Sequence, residues 1–99
     1  MKKIRVFLAD DHKILRESLV ILLSQHEDIE VVGEAADGQE AYEKIMKLRP
    51  DIAVLDISIP HLNGIDLSVR LQQEAPEIRV VILTMHKSEE FVTRALRAG

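Results

Sequence analysis

Four short apolar runs, each followed by a longer stretch with helical spacing, constrain this chain more than any other feature. Ile4-Arg5-Val6-Phe7-Leu8-Ala9, Glu30-Val31-Val32-Gly33-Glu34-Ala35, Ile52-Ala53-Val54-Leu55 and Val80-Val81-Ile82-Leu83-Thr84 read as strands. Runs this apolar suit strands covered on both faces, as in a parallel sheet. Between them, residues 13–25 place Leu15, Leu19, Leu22 and Leu23 on one helical stripe, and residues 39–48 place Ala41, Ile45 and Leu48 on another. Asp37 and Glu40, three apart, mark the start of the second helix, and Pro50 stops it. The next segment is ambiguous: Ile65, Leu67, Val69 and Leu71 alternate like a strand, whereas Gly64, Leu67, Ser68, Leu71 and Ala75 fit a helical stripe that Pro76 ends. The helix formers Gln72, Gln73 and Glu74 favour a helix. A last helix is expected from about Ser88 to Ala98, with Phe91 and Ala95 inward and Gly99 at its C-cap. Strand and helix alternate throughout, which predicts an α/β fold: a doubly wound parallel sheet with right-handed crossovers and helices on both faces.

At 99 residues with 46% apolar content the chain suits one domain, spanning 1–99, with a single core. Thirteen basic against seventeen acidic residues give a net charge of -4, so this segment carries no basic footprint for nucleic acid. Its longest apolar runs fall far short of the roughly 20 residues that span a bilayer. The expectation is a cytoplasmic protein with no membrane contact. The absence of cysteine rules out disulfides and zinc-thiolate sites.

In such folds ligands bind at the carboxyl ends of the strands, where strand order reverses. The first strand runs into Asp10 and Asp11, the third into Asp56, and the fourth ends at Thr84. If those strands are neighbours, three carboxylates and a hydroxyl converge. Two charges about 4 Å apart at an effective dielectric near 20 repel by roughly 4 kcal/mol, so the cluster must hold a cation or a proton. One or two carboxylates with a backbone carbonyl and water form a magnesium-like set. Taken alone, Asp10-Asp11 is better read as a helix cap. Asp56, placed directly after its strand and before a loop containing Pro60 and Gly64, tips the balance towards a site. A carboxylate beside a metal, with a hydroxyl one strand over, is placed to act as a nucleophile towards a phosphoryl group.

The stretches "ADDH" at 9–12, "AADGQEA" at 35–41, "LRPDIAVLDISIP" at 48–60, "NGIDL" at 63–67, "VVILTMH" at 80–86 and "RALRAG" at 94–99 together resemble the receiver domains of two-component response regulators, most of all the NarL/FixJ-type subgroup. The resemblance covers the whole chain and implies the flavodoxin/CheY-like receiver fold. It implies Asp56 as phosphoacceptor, Asp11 as direct Mg2+ ligand, Asp10 as a water-mediated one, the Ser58 backbone carbonyl on the metal, and Thr84 as the switch hydroxyl. The implied partner is a sensor histidine kinase, whose phosphohistidine supplies the phosphoryl group, and the receiver catalyses only its own phosphorylation and dephosphorylation. Ile59 stands where many receivers have methionine, a packing change expected to be tolerated. The resemblance also leads one to expect, beyond Gly99, a fifth strand ending in a lysine, a fifth helix and a C-terminal helix-turn-helix DNA-binding domain. By that comparison the sequence is an incomplete receiver of a transcriptional regulator. Leaving the fourth strand as a sheet edge would favour a homodimer or other self-association.

The four histidines, His12, His26, His61 and His86, show no metal-ligand spacing and read as surface or loop residues. His86 and Ser58 fall where family members vary and tune the access of water to the phosphoryl group. The rival reading is an Mg2+-dependent phosphohydrolase with an aspartyl nucleophile. Such enzymes of the haloacid dehalogenase type carry a general-acid Asp two residues after the nucleophile, and Ser58 stands there instead. A nucleotide-binding module would need a glycine-rich loop where Asp10-Asp11-His12 stands.

Overall fold

The computed structural model describes residues 3–83. The elements run β1 (Ile4–Ala9), α1 (Lys13–Ser24), β2 (Ile29–Ala35), α2 (Gly38–Leu48), β3 (Ile52–Asp56), α3 (Gly64–Glu74) and β4 (Arg79–Leu83). The expected helix from Ser88 to Ala98, its Gly99 cap, Thr84 and His86 lie outside the described residues. Among the described residues, four strands form one sheet in the order β2-β1-β3-β4, every pair parallel. Order reverses at β1 and β3, whose register pairs Ala9 with Leu55, so Asp10 and Asp56 leave the sheet side by side.

Strand alternation divides the core. Phe7, Ala9, Ala53, Leu55, Val80 and Ile82 join Ala41 and Ile45 of α2 and Leu67 and Leu71 of α3 in one buried cluster. That face admits α2 closely because Gly33 has no side chain: a Cβ there would lie 2.8 Å from Leu48 and 3.0 Å from the Phe7 ring. Val6 and Leu8 point to the opposite face, where α1 packs on β1 and β2. The expected stripe of α1 holds only in part. None of its residues is buried; Leu15, Leu19 and Leu23 are half-buried, and Leu22 is 56% exposed. Periodicity identified the helix, but among the described residues α1 alone covers this sheet face and has neighbours along only part of its stripe.

The third segment is helical. Gly64, Leu67 and Leu71 are buried on it, whereas Ile65 and Val69 face solvent, so the strand-like alternation is two apolar residues left on the outer face. Asn63 caps this helix by accepting from the Asp66 N–H at 2.9 Å. At α2 the expected start holds: Asp37 accepts from the Glu40 N–H at 2.8 Å. The Glu40 carboxylate reaches back to the Ala36 N–H at 3.0 Å, one residue earlier than in the usual reciprocal box. The helix stops at Arg49, in the left-handed region at φ 48, followed by Pro50. Ile59 is buried in the core.

Candidate functional site

Asp10 follows β1 directly and is 4% exposed. Its N–H donates to the Ala35 carbonyl at 3.0 Å, continuing the pairing with β2 one residue past the strand. Its carbonyl accepts from Arg16 Nη1 at 2.7 Å, and Arg16 Nε in turn donates to Glu34 Oε1 at 2.9 Å. One guanidinium thus ties α1 and β2 to the backbone of the acidic residue. The Asp10 carboxylate accepts from the His12 N–H at 2.7 Å. Neither aspartate is the helix cap: the N-cap is His12, without a side-chain cap bond, and no acid lies in the first turn. The capping reading of Asp10-Asp11 is thereby corrected, because both residues sit before the helix rather than on it.

Asp56 is the last residue of β3, paired with Leu83 and 2% exposed. Its Oδ1 lies 3.4 Å from both the Ser58 N–H and the Ser58 hydroxyl, and its Oδ2 lies 3.3 Å from that hydroxyl. The loop beyond is fixed from two sides: the Ile57 N–H donates to the Leu83 carbonyl at 2.9 Å, and the Gly64 N–H to the Ile57 carbonyl at 3.2 Å. A Cβ on Gly64 would stand 2.4 Å from the Asp56 carbonyl, so only glycine lets α3 begin this close to the strand end.

Oxygens of Asp10, Asp11 and Asp56 and a ring nitrogen of His12 lie within 4.8 Å of one another. Burial holds the Asp56 carboxyl above its ordinary range, opposed by the Ser58 N–H and reinforced by the charges of Asp10 and Asp11. His12 is held above its ordinary value first by its hydrogen bond to Asp10 and then by the charge of Asp11. The charges of Asp10 and Asp11 act in the same direction on both groups, whereas burial raises Asp56 and opposes the shift of His12. The donor set suits a hard divalent ion: carboxylates from two strand ends with water access past half-exposed Asp11. Three of the expected site residues therefore meet, Ser58 joins them through Asp56, and Thr84 lies outside the described residues. His12 is the surface loop residue expected, its side chain 48% exposed, yet its Nδ1 lies beside the carboxylates, a rotation that no spacing rule reports.

Residues 6–99 match the response regulator receiver domain family. The chain belongs to that family. It is 43% identical over 96 residues to the DNA-binding transcriptional activator DevR/DosR of Mycobacterium tuberculosis, covering 97% of this chain and 44% of the relative. It is 38% identical over 96 residues to the oxygen regulatory protein NreC of Staphylococcus haemolyticus, covering 96% and 44%. The signal receiver domain of the response regulator NarL from Mycobacterium tuberculosis superposes with a TM-score of 0.88 at 35% identity, covering all of this chain and 80% of that one. The receiver thus spans less than half the length of these curated relatives. It is a receiver domain of the NarL/LuxR type with the CheY-like fold, a signalling domain of a family for which Mg2+ and phosphoaspartate are standard. No helix among the described residues is long and apolar enough to cross a membrane.

Proposed function

We propose that this receiver takes a phosphoryl group on Asp56 from the phosphohistidine of a sensor kinase. The observation that carries this reading is the placement of Asp56: an almost fully buried carboxylate at a strand end, facing two further carboxylates and one hydroxyl. An Asp56 oxygen attacks phosphorus in line; the new P–O bond forms as the P–N bond to the donor imidazole breaks, and the leaving imidazole takes up a proton. Asp11, Asp56 and the Ser58 backbone carbonyl would hold Mg2+, with Asp10 acting through water. Bound there, the ion neutralises charge on the phosphoryl oxygens and makes an anionic nucleophile compatible with an anionic substrate. The remaining contributions come from the chain. Arg16 and the Ala35 carbonyl fix the Asp10 backbone, Ser58 orients Asp56, and the Gly64 approach fixes the loop. Thr84, one residue past β4, is assigned the switch hydroxyl that follows the phosphoryl group. The receiver speeds its own dephosphorylation by the same groups.

We infer further that this receiver serves a cytoplasmic regulator that binds DNA through a separate C-terminal domain; DevR/DosR is a DNA-binding transcriptional activator, and the response regulator RcsB has been solved in complex with DNA. A phosphohydrolase finds no general acid at position 58, where the Ser58 hydroxyl instead bonds the Asp56 carboxylate. Incubation with a small phosphodonor such as acetyl phosphate, with and without Mg2+, tests the assignment. Mass spectrometry should show one added phosphoryl group, dependent on Mg2+ and lost in Asp56→Asn. Equal labelling of Asp56→Asn would remove Asp56 from this role.

A further inference from the structure

Neither spacing nor resemblance gives His12 a place in the cation site, yet its Nδ1 lies 3.0 Å from Asp10 Oδ1, 3.2 Å from Asp11 Oδ1 and 3.8 Å from Asp56 Oδ2. Neighbouring donors around an octahedral ion with bonds of about 2.1 Å are about 3.0 Å apart, and around a tetrahedral ion about 3.4 Å. Asp10 acts through water and so offers no such edge; the Asp11 spacing falls between the octahedral and tetrahedral edges, and the Asp56 spacing exceeds the tetrahedral edge by about 0.4 Å and the octahedral edge by about 0.8 Å. The backbone holds the ring in this direction. The His12 N–H and Nδ1 both turn to Asp10 Oδ1, and His12 is the fixed N-cap of α1. Its side chain is 48% exposed, so water and ions reach it without any packing being undone.

We propose that His12 Nδ1 is a donor in this cation site and biases it towards borderline divalent ions that take imidazole, such as nickel, cobalt and zinc, relative to magnesium. The proposal rests on the cation-site reading above. Magnesium prefers oxygen donors and keeps its water, whereas the later first-row ions bind more tightly along the series and favour nitrogen. Carboxylates alone discriminate between these classes less than carboxylates with one imidazole. The same spacing would also serve a simple hydrogen bond from ring to carboxylate, and the experiment separates the two.

MgCl2 and NiCl2 are titrated calorimetrically into the 99-residue chain and its His12→Gln and Asp11→Ala variants, and Mn2+ bound to the parent is examined by pulsed electron paramagnetic resonance. In His12→Gln the ratio of nickel to magnesium affinity should fall by about tenfold or more, the usual cost of altering a metal's surroundings. The Mn2+ spectrum of the parent should show a directly bound 14N that magnesium displaces and that His12→Gln lacks. The parent spectrum tests the nitrogen contact independently of how any variant folds. An unchanged affinity ratio, or a nitrogen signal that persists in His12→Gln and so comes from another histidine, overturns the proposal while leaving the carboxylate site standing. A parent with no magnesium binding sensitive to Asp11→Ala overturns the cation-site reading and this proposal together.

Discussion

Asp10 and Asp11 are chemically identical neighbours with different surroundings. Asp10 is 4% exposed and its carboxylate is already engaged by the His12 N–H, while Asp11 keeps a side chain 38% exposed. Asp11→Ala is therefore expected to cut Mg2+ affinity by tenfold or more and to leave thermal stability unharmed, since it removes one repelling charge. Asp10→Ala should lower Mg2+ affinity less but destabilise the fold by about 1 kcal/mol, because the His12 N–H loses its acceptor. Magnesium titration and thermal melts of both variants check this; the opposite ranking would remove Asp11 from the direct ligands. At this scale the sequence was informative where position alone decides. Asp10, Asp11 and Asp56 were legible because each follows an apolar run that had to be a strand. The turn of the His12 ring and the reach of Arg16 to the Asp10 carbonyl were not, because side-chain rotation depends on neighbours that meet only after folding.

The elements divide the same way. Strands were legible as apolar runs, and α2 because its cap signals and stripe agree. The alternation in α3 was ambiguous until burial separated Leu67 and Leu71 from Ile65 and Val69. The Asn63 cap was also in reach, since an asparagine three residues before an acid is a helix-start pattern. Leu71→Ala is expected to cost about 2–5 kcal/mol, whereas Val69→Ala, at 51% exposure, should stay within about 0.5 kcal/mol of the parent. Similar losses in chemical denaturation would mean that α3 is not oriented as described. At the start of α2, the Ala36 N–H holds the Glu40 carboxyl below its ordinary value of 4.5, with Lys44 assisting. A carboxylate whose pKa is depressed by folding stabilises the fold above its unfolded pKa and loses that contribution as pH falls through the folded value. The melting-temperature advantage of the parent over Glu40→Gln should thus be full at neutral pH and fade below about pH 4.5. A difference that is constant from pH 7 to pH 3 would show that the charge of Glu40 contributes nothing.

At the scale of the molecule, the two sheet faces are unequally covered among the described residues. One is sealed by α2 and α3; the other carries α1, with Ile14 81% and Ile21 61% exposed. Among the described residues β4 pairs on its β3 side alone, and apart from Arg79 it carries no charge along Arg79–Leu83. Strand edges of this kind pair with other chains. The 99-residue chain is expected to self-associate, and light scattering after size exclusion over a dilution series should show a mass above that of one chain. A monodisperse monomer at micromolar concentration would refute it. The junction of β1 and β3 has a different kind of consequence, in time rather than in equilibrium. Asp10 and Asp56 become neighbours only when the Ala9–Leu55 register has closed, across two intervening helices and a whole strand. Long-range parallel pairing of this sort carries a large loop-closure cost and is slow. If that register closes after the rate-limiting barrier, a cation held between the two strand ends has nothing to grip until the barrier is crossed, so it acts on the way out and not on the way in. In stopped-flow experiments Mg2+ should slow unfolding while leaving the refolding rate nearly unchanged. An equal acceleration of refolding would mean that the acidic junction is already assembled at the top of the barrier.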